Sequence, residues 1–209
     1  MLRILFSLVL SYLIGSIPTA YLFGRFYKGI DIRQFGSGNV GATNAFRVLG
    51  KIPGTIVLLI DIFKGVLATT VVASVGGIDH LFYYTLLGVV VVVGHNWTVF
   101  LNFRGGKGIA TSLGVLIGLT IKISILRPIL GLAILIWLVI FLITGFVSLS
   151  SIITACFLPI LMLCFKQPFE MILLGVLFCV FVVIRHRPNI ARLREGKESK
   201  TLLFSKKKI

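Results

Sequence analysis

Acidic side chains are scarce in this sequence: six Asp and Glu stand against 21 Lys and Arg, a formal net charge of +15. Histidine and cysteine are thin as well, at three each. His80, His95 and His186 lie far apart, and neither a His-x-x-x-His nor a Cys-x-x-Cys spacing occurs. No metal centre and no cofactor is therefore expected. A Gly-x-Ser-x-Gly elbow is also missing, which removes the usual framework for a covalent serine mechanism. Charged residues make up only 13% of the chain, against about 25% in soluble domains, so most of it does not face water. No disordered linker is long enough to separate one folded region from another, so residues 1–209 are expected to form a single domain with a basic tail from about residue 185.

What is abundant is apolar. Hydrophobic residues account for 57% of the chain and the mean hydropathy is +1.07. Apolar runs recur along the whole length, which predicts an all-α, polytopic membrane protein. The N-terminus, with only Arg3 ahead of a long apolar stretch and no small-residue cleavage site, reads as a retained first helix. Cys156, Cys164 and Cys179 sit in apolar segments and read as small core residues. A charge of +15 in a soluble protein would suggest nucleic acid. Here the basic residues gather in loops and the tail, where membrane topology and anionic lipid heads account for them, and no nucleic-acid partner is expected.

Seven helices are predicted. The first runs from Ile4 to Gly24 with a kink at Pro18, and the second from Gly54 to Val75. Asp61 and Lys64 lie on one face of the second, where ionisable groups are costly and should pair within the bundle. Helix three starts at Leu81, helix four covers Ile109 to Ile121, and helix five Pro128 to Phe146. A polar link, Ser148–Ser151, opens helix six, which ends near Phe165, and helix seven ends at Ile184. The last two show only about 14 clear apolar residues each, against roughly 20 needed to span.

Three polar clusters stand out. Residues 25–53 read as a basic loop, and within it Ser37, Gly38, Asn39, Gly41, Thr43, Asn44 and Arg47 combine glycines with hydroxyl, amide and guanidinium donors. That is the chemistry of a phosphate cradle, in which backbone N–H groups approach oxygen closely. Residues 104–111 make a second such loop, with Lys107 among Gly105, Gly106 and Gly108. It is not a Walker A loop, because Gly108 stands where Ser or Thr is required. The third cluster, Arg185–Asn189, leaves the membrane carrying His186 and Asn189. Together with Ser148, these are the polar groups left to polarise a carbonyl or steer a hydroxyl.

Basic residues divide unevenly between alternate connections. The first loop, the Lys107 loop and the tail hold 16, while Arg3, Lys122, Arg127 and Lys166 make four on the other side. The positive-inside rule then predicts seven spans with the N-terminus outside and the polar clusters cytoplasmic.

The ordered series GSGNVGATNAFRVLG, DIFKG, GHNWTVFLNFRGGKGIAT, VSLSS and RHRPNIARLREGKE resembles the acyl-phosphate:glycerol-3-phosphate acyltransferases, the PlsY family, from about Ser16 to Glu198. The resemblance implies a seven-helix bacterial inner-membrane enzyme. It would transfer a fatty acyl group from acyl phosphate to the sn-1 hydroxyl of glycerol 3-phosphate, giving lysophosphatidic acid and phosphate. It also places Ser37 to Arg47 and Gly105 to Gly108 on substrate-binding loops, and Lys107, Ser148, His186 and Asn189 among catalytic motifs. Thr98 departs from the proline expected there, which should leave the approach to the second loop less rigid.

The residues suit that reaction. Acyl phosphate has a good leaving group, so direct attack needs positioning and charge stabilisation more than a protein nucleophile. The His-x-x-x-x-Asp pattern of the other large acyltransferase class is absent. The proton acceptor is either His186 or the substrate's own phosphate. A transporter or binding protein for organic phosphates is the rival reading. Oligomeric state is not predicted.

Overall fold

Proline and glycine set the breaks between helices. The computed structural model describes residues 1–201, so Lys206, Lys207 and Lys208 lie outside the described residues. The described chain is all-α and forms two compact units, Met1–Ser124 and the remainder from Ile125.

In the first unit, α1 (Leu2–Ser16) and α2 (Thr19–Lys28) meet at a bend of 41°. Pro18 has no N–H to continue the helical ladder and pushes Ile17 out of helical geometry, to ψ 114°. The carbonyls freed by the break are recaptured inside the protein. Ser16 O accepts from the Thr98 hydroxyl, and Ile17 O accepts from Lys64 Nζ at 2.6 Å. Thr98 also accepts from Phe100 N at 3.2 Å and is 2% exposed. The loss of rigidity expected from Thr98 is thus not found: its hydroxyl fastens the loop to the broken helix, which a proline has no donor to do.

The basic loop expected over residues 25–53 is largely helical. α2 continues to Lys28, α3 covers Ala42–Val48, and α4 begins at Lys51. Pro53 is tolerated because it falls in the first turn of α4, where its missing N–H has no partner to lose. Composition misled there, because the segment builds a small core of its own. Ala20, Ile32, Val40, Ala45, Leu49, Val57 and Leu101 are buried together, with Tyr21, Phe23 and Ile30 packed around them.

α4 (Lys51–Leu67) runs on to Val75 through a π turn at Ala68–Val72. Thr69 and Thr70 hydroxyls bond back to Gly65 O and Val66 O there, loosening the ladder at that point. α5 (Leu81–Asn96) packs on α1, and α6 (Ile109–Lys122) packs on α4. Both contacts are backbone-close: a Cβ on Gly15 would lie 2.1 Å from Val91 O, and one on Gly114 1.9 Å from Ile62 O.

The second unit contains α7 (Arg127–Thr144), α8 (Val147–Cys164), α9 (Phe169–Arg185) and the short α10 (Arg187–Arg194). α8 and α9 reach 18 and 17 residues because polar residues flanking the roughly 14 clear apolar ones are helical too. The polar residues Ser148–Ser151 lie inside α8 and not in a link before it, because Ser150 and Ser151 return their hydroxyls to Phe146 O and Val147 O. The cysteines are not the core residues that composition led us to expect. Cys156 and Cys164 are exposed on the apolar surface of α8, and Cys179 is half-buried.

Among the described residues, four helical stretches are long and apolar enough to cross a membrane, or up to six if each bent pair is one span.

Candidate active site

The first glycine loop is held by one amide. Asn44, 1% exposed, accepts from Ser37 N at 2.9 Å and donates to Ile32 O and Phe35 O. Gly36 sits at φ +60°, and a Cβ there would lie 2.3 Å from Asn44 Oδ1, so this turn admits only glycine. Asn44 thus spends its polar atoms on the loop's shape. The next five N–H groups, residues 39–43, enter no hydrogen bond among the described residues. Ser37 and Thr43 are exposed, while Asn39 is half-buried and Gly41 buried.

The cations of this region divide into two sets. Asp31 takes Arg33 at 2.7 Å and Arg25 at 3.5 Å, and both guanidiniums stack on the Tyr21 ring. The hydrogen bond from Arg33 holds the Asp31 carboxyl down at about 2, against the opposing effect of burial. Lys28 donates to Val48 O at 2.7 Å. Arg47, exposed on α3, has no hydrogen bond or ion pair among the described residues and is the cation left beside the N–H groups.

The second loop is built differently from the expectation. Gly105 N donates to Asn96 O at 3.1 Å and Gly106 N to His95 O at 2.9 Å, so these amides serve the loop and not a ligand. The glycines are required by crowding: a Cβ on Gly106 would lie 2.1 Å from the His95 Nε2. Gly108, at φ +77°, turns the chain into α6. The half-buried Lys107 is therefore presented between a backbone pinned on α5 and a helix start.

Beneath this loop lies a buried ion pair. Lys64 Nζ reaches Asp61 Oδ1 at 2.7 Å as well as Ile17 O and the Thr19 hydroxyl, and Thr19 donates to Asp61 Oδ1 at 2.9 Å. The pairing of Asp61 with Lys64 is as expected, but Thr19 gave no signal of its own in the sequence.

In the second unit, Glu198 is the hub, and residue-type reasoning missed it. Its Oε1 accepts from Ser148 at 2.8 Å and Asn189 at 2.6 Å, and its Oε2 accepts from Arg192 at 2.8 Å. Burial pushes this carboxyl up, but those hydrogen bonds and the Arg192 charge outweigh it and hold it below its ordinary value. A usable signal was present: with six acids in the chain, an acid just after Gly196, which turns at φ +67°, is placed to fold back. His186 is 3% exposed, with Nδ1 2.8 Å from Val182 O. A carbonyl only accepts, so Nδ1 carries a proton. Among the described residues no group of three His, Cys, Asp or Glu is placed to hold a metal.

A membrane protein with a free N–H run beside Arg47, and a lysine mounted on a glycine loop, belongs to the class that handles phosphorylated substrates in a bilayer. A family model described as glycerol-3-phosphate acyltransferase matches residues 5–196. Glycerol-3-phosphate acyltransferase 2 of Moorella thermoacetica is 45% identical over 197 residues, 94% of this chain and 96% of that protein. The glycerol-3-phosphate acyltransferase of Synechococcus elongatus is 45% identical over 200 residues, covering 91% and 90%. The crystal structure of the integral membrane glycerol 3-phosphate acyltransferase PlsY, in its glycerol 3-phosphate form, matches with a TM-score of 0.85 at 35% identity, over 97% of this chain and 99% of that one. Its lysophosphatidic acid form matches with a TM-score of 0.81 at the same identity, over 94% of each chain. The chain belongs to the glycerol-3-phosphate acyltransferase family and is an integral, multi-pass membrane enzyme.

Proposed function

We propose that residues 1–209 act as one enzyme domain that moves a fatty acyl group from acyl phosphate to the sn-1 hydroxyl of glycerol 3-phosphate. The bond formed is the ester C–O; the bond broken is acyl C–O to phosphate; the hydroxyl proton leaves with the product phosphate. The observation that carries the reading is the run of unused N–H groups at residues 39–43 beside the unpaired Arg47. A phosphate dianion offers several acceptor lone pairs and needs both neutral donors and a cation.

Ser37, Gly38, Asn39, Gly41 and Thr43 are assigned to one phosphate with Arg47, and Asn44 to holding their loop. Lys107 is assigned to phosphate charge as it grows in the transition state, with Gly105, Gly106 and Gly108 shaping its seat. His186 and Asn189 orient the acceptor, Glu198 with Ser148 bonded to it holds Asn189, and the substrate's own phosphate passes the hydroxyl proton on to the product phosphate. Anhydride chemistry at a membrane also explains the helical body, in which the acyl chain stays among apolar side chains.

Seven spans with the N-terminus outside and the substrate-binding side cytoplasmic complete the proposal, supported by the split of basic residues. The count takes the 14-residue Ile109–Lys122 as the seventh crossing. Purified protein given acyl phosphate and glycerol 3-phosphate should release phosphate and form lysophosphatidic acid, while acyl-CoA supports no comparable turnover. Equal rates with acyl-CoA would overturn the donor assignment.

A further inference from the structure

The Asp61–Lys64 pair has one feature that a simple brace does not explain. Lys64 uses all three hydrogens, on Asp61, Thr19 and Ile17 O. Asp61 concentrates its contacts on Oδ1, and its buried Oδ2 has no hydrogen-bond partner among the described residues. A bare carboxylate oxygen out of water is costly, and a pair retained only for packing is better replaced by apolar side chains.

The neighbours say what the pair acts on. His95 Nδ1 stands 3.7 Å from Asp61 Oδ1, and His95 is 8% exposed. The same ring is the surface against which Gly106 packs, and His95 O accepts from Gly106 N. Thr19 and His95 line a narrow cleft together with Ser16, Val40, Gly105 and Gly106. From Lys64 the contacts run through Asp61 and His95 to the residue preceding Lys107.

We propose that Asp61, charged and clamped by Lys64 and Thr19, is a positioning residue: it fixes the His95 ring and thereby the height of the Gly105–Lys107 loop over its phosphate. The inference rests on the acyl-transfer reading for the identity of that phosphate. Asp61 touches no substrate. Its removal lets the loop drift, which weakens both the binding of phosphate and the hold of Lys107 on the charge that grows there in the transition state.

The test uses full-length protein in lipid nanodiscs. Asp61→Asn should lower kcat/KM about tenfold, a smaller loss than that of Lys107→Ala, because the loop carrying Lys107 is displaced and its ammonium is kept. Asp61→Glu should recover some of that loss. The inorganic phosphate concentration giving half-maximal thermal stabilisation should rise in parallel, a readout that survives even if the acyl-transfer reading fails. Should Asp61→Asn not fold, the charge-free double variant Asp61→Asn/Lys64→Met is measured instead. Unchanged kcat/KM and unchanged phosphate midpoint in the variant that folds would overturn the proposal, and so would failure of both to fold, which would make the pair a brace only.

Discussion

With only six acids in the chain, the placement of each one carries weight. Four of them, Asp31, Asp61, Glu195 and Glu198, hold basic partners, and three of those four organise a functional loop or cluster. Lys107 is a lysine seated among glycines, with no carboxylate close in sequence. Lys107→Ala should cut kcat/KM by about 10² or more, since a charge-assisted contact strengthened in the transition state contributes roughly 3 kcal/mol. Lys107→Arg should recover only a fraction, because a planar fork does not fit a seat shaped for an ammonium. Steady-state kinetics on folded protein checks both. As candidates, Arg47 and Lys107 were legible in the sequence because glycine-rich, hydroxyl-rich segments are rare in an apolar chain. Glu198 was not, because its importance depends on α10 and the Gly196 turn returning the chain to Ser148 and Asn189. The sequence does not display that return.

Among elements, the bend between α1 and α2 and the hook after α10 each rest on a few polar contacts. Thr98→Val should lower stability by about 1 kcal/mol, the usual worth of one buried hydrogen bond, by leaving Ser16 O without its donor. Thermal unfolding in detergent measures it. The hook has a pH dependence with a definite sign. The Glu198 carboxyl sits below its ordinary value of 4.5 in the folded protein, so its stabilising effect is complete well above that value and lost as pH falls through the lower native one. Hydrogen-exchange protection at residues 187–198, taken relative to the intrinsic rate at each pH, should fall with acid in wild type and be low throughout in Glu198→Gln. The membrane helices were legible from apolar runs to within a few residues. α2 was legible as far as Gly24, with its break at Pro18, whereas α3 and α10 were not: both are short, and α3 is held by the small core around Ile32 and Val40.

Taken as one molecule, the protein joins a membrane body to phosphate chemistry. Single-cysteine labelling in a Cys-free background tests the proposed topology: a residue-79 cysteine should label from outside, and labelling only from the cytoplasm would remove the seven-span arrangement. The central claim is direct acyl transfer, with glycerol 3-phosphate attacking the acyl phosphate and no acyl group resting on the protein. Rapid-quench mixing of purified enzyme with acyl phosphate tests it most directly. With glycerol 3-phosphate present, phosphate and lysophosphatidic acid should appear together, one for one, from the first turnover. Without it, neither should form, and a burst of phosphate matching the enzyme concentration would contradict direct transfer.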